Sequence, residues 1–210
     1  WVESTTSRLK SVALSIPVVV GDPAFGGLMP QLKGARVEAE RVAAIYRVQP
    51  LLRANATEAA VRAAVGPGSD VLHMATHGTF DADHPLRSAI YLTGPDGQAA
   101  ALTAAQLFEK PIPARLVVLS ACETGIGRVA AGDDFLGLVR SFYLGGSRAV
   151  VNSLWPVEDQ GVRLCMETFH ANLRDGRYGA AWTAARDAAK AAGYPVSVYA
   201  AFVLGGSLQQ

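Results

Sequence analysis

Ala114-Arg-Leu-Val-Val-Leu-Ser-Ala-Cys-Glu-Thr-Gly125 is the stretch on which the reading of this chain turns. Its first half, Ala114–Leu119, is a short run dominated by aliphatic residues. Such runs are expected of parallel strands, which are covered on both faces and need no polar alternation. Three more runs share its character: Ser11–Val20, Asp70–Ala75 and Arg148–Leu154. Segments with a period near 3.6 lie between and after them. Ala35–Arg47 puts Ala35, Ala39, Val42, Ala43 and Tyr46 on one face, as an amphipathic helix does. Thr57–Val65 opens on a threonine followed by Glu58, a capped helix entry. Leu102–Lys110 begins a helix near Thr103. Asp133–Leu144 aligns Phe135, Leu138, Val139 and Phe142, with two acids at its N-terminal dipole. Glu158–Leu173 and Tyr178–Ala192 read as two further helices, and Val196–Leu204 returns to a strand-like run. Arg87–Leu92, with its turn Thr93–Gly97, adds a short antiparallel piece. Strand alternating with helix predicts an α/β fold: a mostly parallel central sheet flanked by helices on both faces.

Composition narrows the classes of function. The chain has 210 residues, 19 Lys+Arg against 18 Asp+Glu, and two cysteines. The near-neutral balance argues against bulk electrostatic binding of nucleic acid or of an anionic membrane. Two cysteines make no disulfide framework and suit a reducing compartment, so a cytoplasmic location is expected. No apolar stretch approaches the roughly 18 residues of a membrane span. The polar start, Trp1–Lys10, does not read as a signal peptide. Because it begins on Trp1, the chain is expected to be a piece of a longer protein, with residues 1–210 forming one domain. Alanine supplies 36 of the residues, which suits helices packed closely on a sheet.

In open parallel sheets, ligands bind beyond the carboxyl ends of the strands. Thr76-His77-Gly78 follows the second apolar run, and Ser120-Ala121-Cys122 follows the third. Asn152-Ser153-Leu154-Trp155-Pro156 ends the fourth. A histidine and a cysteine therefore leave one sheet at the same edge. An imidazole can take the thiol proton and later return it to a leaving amine. Gly78 lets a backbone N–H approach a developing oxyanion, with the Cys122 N–H as second donor. Taken alone, either residue is as well explained by core packing, and the pair together favours a dyad. Cys165 lies in the stripe Val162, Cys165, Met166, Phe169, Leu173 and reads as core.

Two other chemistries compete. His73 and His77, with Asp81, Asp83 and His84 nearby, suggest a metal site. However, Met74 stands where the zinc motif needs glutamate, and the segment reads as strand rather than helix. His73 is expected inside the sheet and hydrogen-bonded, with Asp81–Pro85 as a turn or loop. Gly125-Ile-Gly127-Arg-Val-Ala130 matches a dinucleotide fingerprint, but Cys122-Glu123-Thr124 separates it from the strand and no acid lies between Phe135 and Pro156. No metal and no cofactor is expected.

Val117-Val-Leu-Ser-Ala-Cys-Glu-Thr-Gly125 and Leu72-His-Met-Ala-Thr-His-Gly78 resemble the two signature segments of CHAT domains, caspase-like cysteine peptidases. Val20-Gly-Asp-Pro23, Leu102-Thr-Ala-Ala-Gln106, Phe142-Tyr-Leu-Gly-Gly146, Ser153-Leu-Trp-Pro156 and Tyr199-Ala-Ala-Phe-Val-Leu204 extend the likeness over nearly the whole chain. The resemblance implies a caspase/haemoglobinase fold, Cys122 as nucleophile and His77, 45 residues earlier, as general acid/base. No third triad member is visible. By position, Ser120, Asn152, Ser153 and Trp155 should wall the pocket for the residue before the scissile bond. Trp155 is either an apolar wall or a cap on the core. Asp159 or Glu158 either binds a basic side chain or favours the following helix's N-terminus; Asp133 and Asp134 carry the same ambiguity.

The implied activity is a cysteine endopeptidase acting on a specific protein partner in bacterial defence or programmed cell death. The implied context is a sensor or activator region, in the same chain or in a neighbouring protein. The competing class is a catalytically silent CHAT module serving as an interaction or scaffolding domain.

Overall fold

The computed structural model describes residues 17–66, 69–81, 83–120, 136–155, 157, 159–173 and 177–206. The chain opens with β1 (Val18–Pro23), α1 (Lys33–Tyr46), β2 (Leu51–Arg53), α2 (Glu58–Ala64) and β3 (Ser69–Ala75). A small antiparallel sheet follows, made of β4 (Gly78–Thr79), β5 (Ala89–Thr93) and β6 (Ala99–Thr103), with a 3-10 turn at Pro85–Arg87. Then come α3 (Ala104–Glu109), β7 (Ala114–Ser120), α4 (Leu136–Leu144) and β8 (Ala149–Ser153). The last elements are α5 (Asp159–Asn172), α6 (Tyr178–Ala191), α7 (Val196–Tyr199) and β9 (Phe202–Gly206). The central sheet has the order β2-β1-β3-β7-β8-β9. All its pairings are parallel except that of β8 with β9.

The aliphatic runs form the middle of this sheet because it is covered on both faces. Even positions of β3, Leu72 and Met74, pack with Val117 and Leu119 of β7 toward α4 and the small sheet. Odd position Val71 packs with Leu116 and Val118 toward α1, α5 and α6. On the second face α6 lays Ala181 and Ala185 against the core, so the alanine-rich helix comes close to its neighbours. Larger rings fill what is left: Trp182 meets Phe169 edge-on at 5.7 Å between centroids. Gly21 marks the closest approach of α1 to β1. A Cβ there would run into the Ala39 side chain and stand 2.8 Å from the Ala35 carbonyl oxygen.

Several expectations shift. The expected strand at 11–20 begins in the description at Val18, and residues 11–16 lie outside it. Thr57 and Thr103 do cap helices: Thr57 Oγ1 accepts from the Ala60 N–H, and Thr103 makes a capping box with Gln106. The residues before Thr103 instead form β6, which completes the expected antiparallel piece with β5. Residues 196–204 are not one strand. Pro195 supplies a carbonyl that accepts from the Val198 N–H, starting the single turn of α7 before β9 begins. No described helix is long and apolar enough to cross a membrane.

Candidate functional site

His77 lies two residues past the end of β3 and is 1% exposed. Its Nε2 is 2.8 Å from the Pro30 carbonyl oxygen. A carbonyl can only accept, so Nε2 carries the hydrogen, and in the neutral ring Nδ1 keeps its lone pair. Nδ1 is buried and has no hydrogen-bond partner among the described residues. The ring leans on Phe25 at 4.8 Å between centroids. On its main-chain side, the His77 carbonyl accepts from the Tyr91 N–H, and the Thr76 hydroxyl donates to the Tyr91 carbonyl. The imidazole is thus held from three directions with one nitrogen left as a base.

The same ladder places Gly78. It pairs with Ile90 across β4 and β5, flanked by the His77–Tyr91 hydrogen bond. In that register the Gly78 N–H points away from β5.

Pro30 is held in place by Asp22, at the end of β1. Asp22 is 3% exposed and has φ of 42°, a left-handed conformation that costs a non-glycine residue of order 1 kcal/mol. Its Oδ1 accepts from Gln31 Nε2 at 2.7 Å and from the Leu32 N–H at 2.9 Å. Oδ2 faces the Arg53 guanidinium at 3.4 Å. Gln31 also donates to the Pro23 carbonyl. One carboxylate thereby ties both residues that follow Pro30.

Beside His77 opens a cleft of about 300 Å³. Its lining includes Leu32, Lys33 and Glu38 from the start of α1, with Thr76 and Ser120 at the strand ends. Val157 and Val162 close it from the α5 side. Ser120 is therefore where it was expected, beside the histidine. Asn152 and Ser153 are buried in β8 and do not line the cleft among the described residues. Trp155 is 37% exposed, and its indole N–H donates to the Ser197 carbonyl of α7 at 2.7 Å. Asp159 opens α5, but its side chain is outside the description. Cys122, Glu123, Asp133, Asp134, Glu158 and the loop from Gly125 to Ala130 also lie outside the described residues.

Behind the cleft runs a line of buried polar groups. Tyr46 Oη is 2.7 Å from His170 Nδ1, His170 Nε2 is 3.1 Å from His73 Nδ1, and His73 Nε2 is 3.1 Å from Glu38 Oε1. The last contact is short but poorly aligned, so neither atom has a well-formed hydrogen bond. His170 is pushed well below the usual histidine range, first by burial and then by His73. It is therefore neutral at pH 7. One arrangement of hydrogens then serves every contact: Tyr46 donates to His170, His170 to His73, and His73 Nε2–H faces the carboxylate. In that arrangement all the donors point toward Glu38. His73 is buried inside the sheet and hydrogen-bonded through Nδ1, as expected. Among the described residues no group of three or more His, Cys, Asp or Glu is placed to hold a metal ion. Cys165 is fully buried, and burial, followed by the Glu38 charge, pushes its thiol up to about 11.

Asp22, the Pro30 carbonyl, Glu38 and His170 were not read from the chain. Glu38 had a signal: it falls between Ala35 and Val42 on the apolar stripe of α1, where an acid is out of place. Pro30 had none, since it acts through the carbonyl that every residue carries.

Comparison with known proteins agrees with this architecture. The model of the CHAT domain family matches residues 3–203. A mouse protein named tetratricopeptide repeat protein 28 is 27% identical over 199 residues, covering 77% of this chain and 8% of that protein. The human protein of the same name is 28% identical over 194 residues, with the same shares. The chain thus spans a small fraction of the length of these relatives. With a match over nearly its whole length, on a mostly parallel sheet flanked by helices, the chain belongs to the CHAT domain family, of the caspase-like clan.

Proposed function

We propose that this chain is the catalytic part of a cysteine endopeptidase, with Cys122 as nucleophile and His77 as general acid/base. The observation that carries the reading is the tautomer of His77. Its Nε2–H is committed to Pro30, so the free base is Nδ1 in a water-poor position at the sheet's carboxyl edge. The register supports the partnership. Ala75 is level with Ser120, and the count is two residues from each to His77 and to Cys122.

The chemistry follows from these placements. Nδ1 takes the Cys122 proton, and the thiolate attacks the peptide carbonyl. The N–H groups of Gly78 and Cys122 receive the oxyanion, each donor supplying on the order of 3 kcal/mol in the transition state. The imidazolium returns its proton to the leaving amine. Water then hydrolyses the thioester, with Nδ1 again as base. Gly78 suits this role because the β4–β5 ladder does not use its N–H. No step draws on a metal or cofactor.

The substrate is a specific protein partner, and residues 1–210 act as one domain of a longer chain that contains a sensor or activator region. The printed name of the relatives, tetratricopeptide repeat protein, supports a setting beside such repeats. A cytoplasmic role in defence or programmed death signalling is the context we favour. The same name favours a second reading, a catalytically silent module that binds a partner through this cleft.

A peptidyl acyloxymethyl ketone distinguishes the two. The peptidase is labelled once, the label is lost in Cys122→Ala, and it is kept in Cys165→Ala. Cys165 is buried and, with its thiol held up to about 11, almost wholly protonated at neutral pH. Equal labelling of both thiols, or of neither in the full-length protein with its activator, rejects the dyad.

A further inference from the structure

We infer that the cleft beside His77 takes a lysine or arginine side chain as the residue before the scissile bond, with the Glu38 carboxylate as its counter-ion. The inference rests on the peptidase reading and names its substrate class.

The cleft has the composition such a side chain needs. Leu32, Val157 and Val162 offer apolar walls for an aliphatic stem. Ser120 and Thr76 line the cleft from the strand ends. Both Lys33 and Glu38 of α1 line it. Lys33 is exposed, whereas Glu38 is 4% exposed. The lining therefore includes an open rim and a buried acid.

Glu38 Oε1 is buried without a well-formed hydrogen bond. Its nearest polar neighbour, His73 Nε2 at 3.1 Å, is poorly aligned. The line Tyr46–His170–His73 ends at Glu38 without completing a hydrogen bond to Oε1. A buried acid left in this condition is costly unless a cation completes it. Among the described lining residues the only cation is Lys33, at the rim. An ammonium or guanidinium entering past His77 would supply both the charge and the missing hydrogen bonds. This puts an acid of the specificity pocket on α1, at Glu38.

Two measurements test the assignment in the full-length protein. The first compares cleavage of peptides that differ only before the cut: lysine against norleucine, arginine against citrulline. Wild type is expected to favour the charged member by about a hundredfold in kcat/KM, falling to under about fivefold in Glu38→Gln. The second needs no turnover: binding of Nα-acetyl-lysinamide read by NMR at His77, present in wild type and lost in Glu38→Gln. Lys33→Gln, at the exposed rim, serves if Glu38→Gln does not fold, and should raise the charged-over-neutral ratio about threefold. Cleavage with no charged preference, or a preference unchanged in Glu38→Gln or lowered in Lys33→Gln, overturns the assignment and leaves the peptidase standing. Lysinamide binding that depends on Glu38, without any peptide cleavage, keeps the pocket and rejects the peptidase. Neither cleavage nor binding rejects both.

Discussion

His73 and His77 are four residues apart on one chain segment and fall on the same side of the sheet, yet their surroundings divide them. His73 is level with Val19 and Val118 in the middle of the sheet, and both its nitrogens face partners. His77 stands past the strand's end, where one nitrogen is spent on Pro30 and the other has no described partner. Both are almost fully buried, so burial does not distinguish them. Each ring has one nitrogen hydrogen-bonded, so the difference is where the other one stands. His73 Nε2 is sealed in mid-sheet against the Glu38 carboxylate, whereas His77 Nδ1 belongs to a ring at the strand end that lines a cleft. His77→Ala should therefore lower kcat/KM by about 10²–10⁴-fold, measured on a cleaved peptide well below the melting temperature of the variant.

His73→Leu should do the reverse. It leaves His170 Nε2 without its partner inside the core, at a cost of about 1–3 kcal/mol in urea unfolding. Turnover should survive at temperatures well below the melt. If both substitutions reduced turnover alike at equal stability, the division between the two histidines would fail.

pH reads the buried polar line that includes His73 through its neighbour His170. His170 titrates well below 6.5 in the folded protein, while the unfolded chain takes up its proton near 6.5. The unfolded state thus binds more protons in that window. Stability is full above pH 6.5 and falls on acidification, by up to about 1.4 kcal/mol per pH unit from this group. Urea midpoints at pH 7.5, 6.5 and 5.5 should show that slope in wild type and a flatter one in His170→Gln. Asp22 probes the other histidine through the hydrogen-bonded residues 31 and 32. Asp22→Ala should cut kcat about tenfold with KM nearly unchanged, because the Pro30 carbonyl is no longer held for Nε2. Asp22→Asn, which tolerates the left-handed backbone and still offers an oxygen to the Leu32 N–H, should restore most of it.

What could be read from the chain follows the same division. β3, β7 and β8 were legible because strands covered on both faces must be apolar throughout, and that pattern has few alternatives. β2 and β4, of three and two residues, carry too few side chains for any period to register. The stripe of α1 was legible as a helix, but its one acid was passed over, because a periodicity argument counts apolar positions and not exceptions. In the site, His77 was visible by its place after a strand. Its Pro30 partner was not, since a main-chain carbonyl has no sequence signature and reaches the ring across 47 positions. Trp155 was ambiguous for another reason: an amphipathic ring can turn to either side, and the hydrogen bond decides.

That hydrogen bond gives the smallest expected effect. Trp155 Nε1–H donates to the Ser197 carbonyl, joining the end of β8 to the short helix α7. Phenylalanine keeps most of the ring and removes the donor. The bond is partly open to water, with Trp155 37% exposed, so its loss is worth about 0.5–1 kcal/mol. Trp155→Phe should lower the urea midpoint by that amount and leave the charged-over-neutral preference unchanged. The apolar walls of the cleft come from Leu32, Val157 and Val162, Trp155 is not among its described lining, and the indole's hydrogen bond goes to α7. A changed preference with unchanged stability would instead make Trp155 a wall of the pocket, placing the specificity region on both sides of β7 and not, as Glu38 requires, on the α1 side alone.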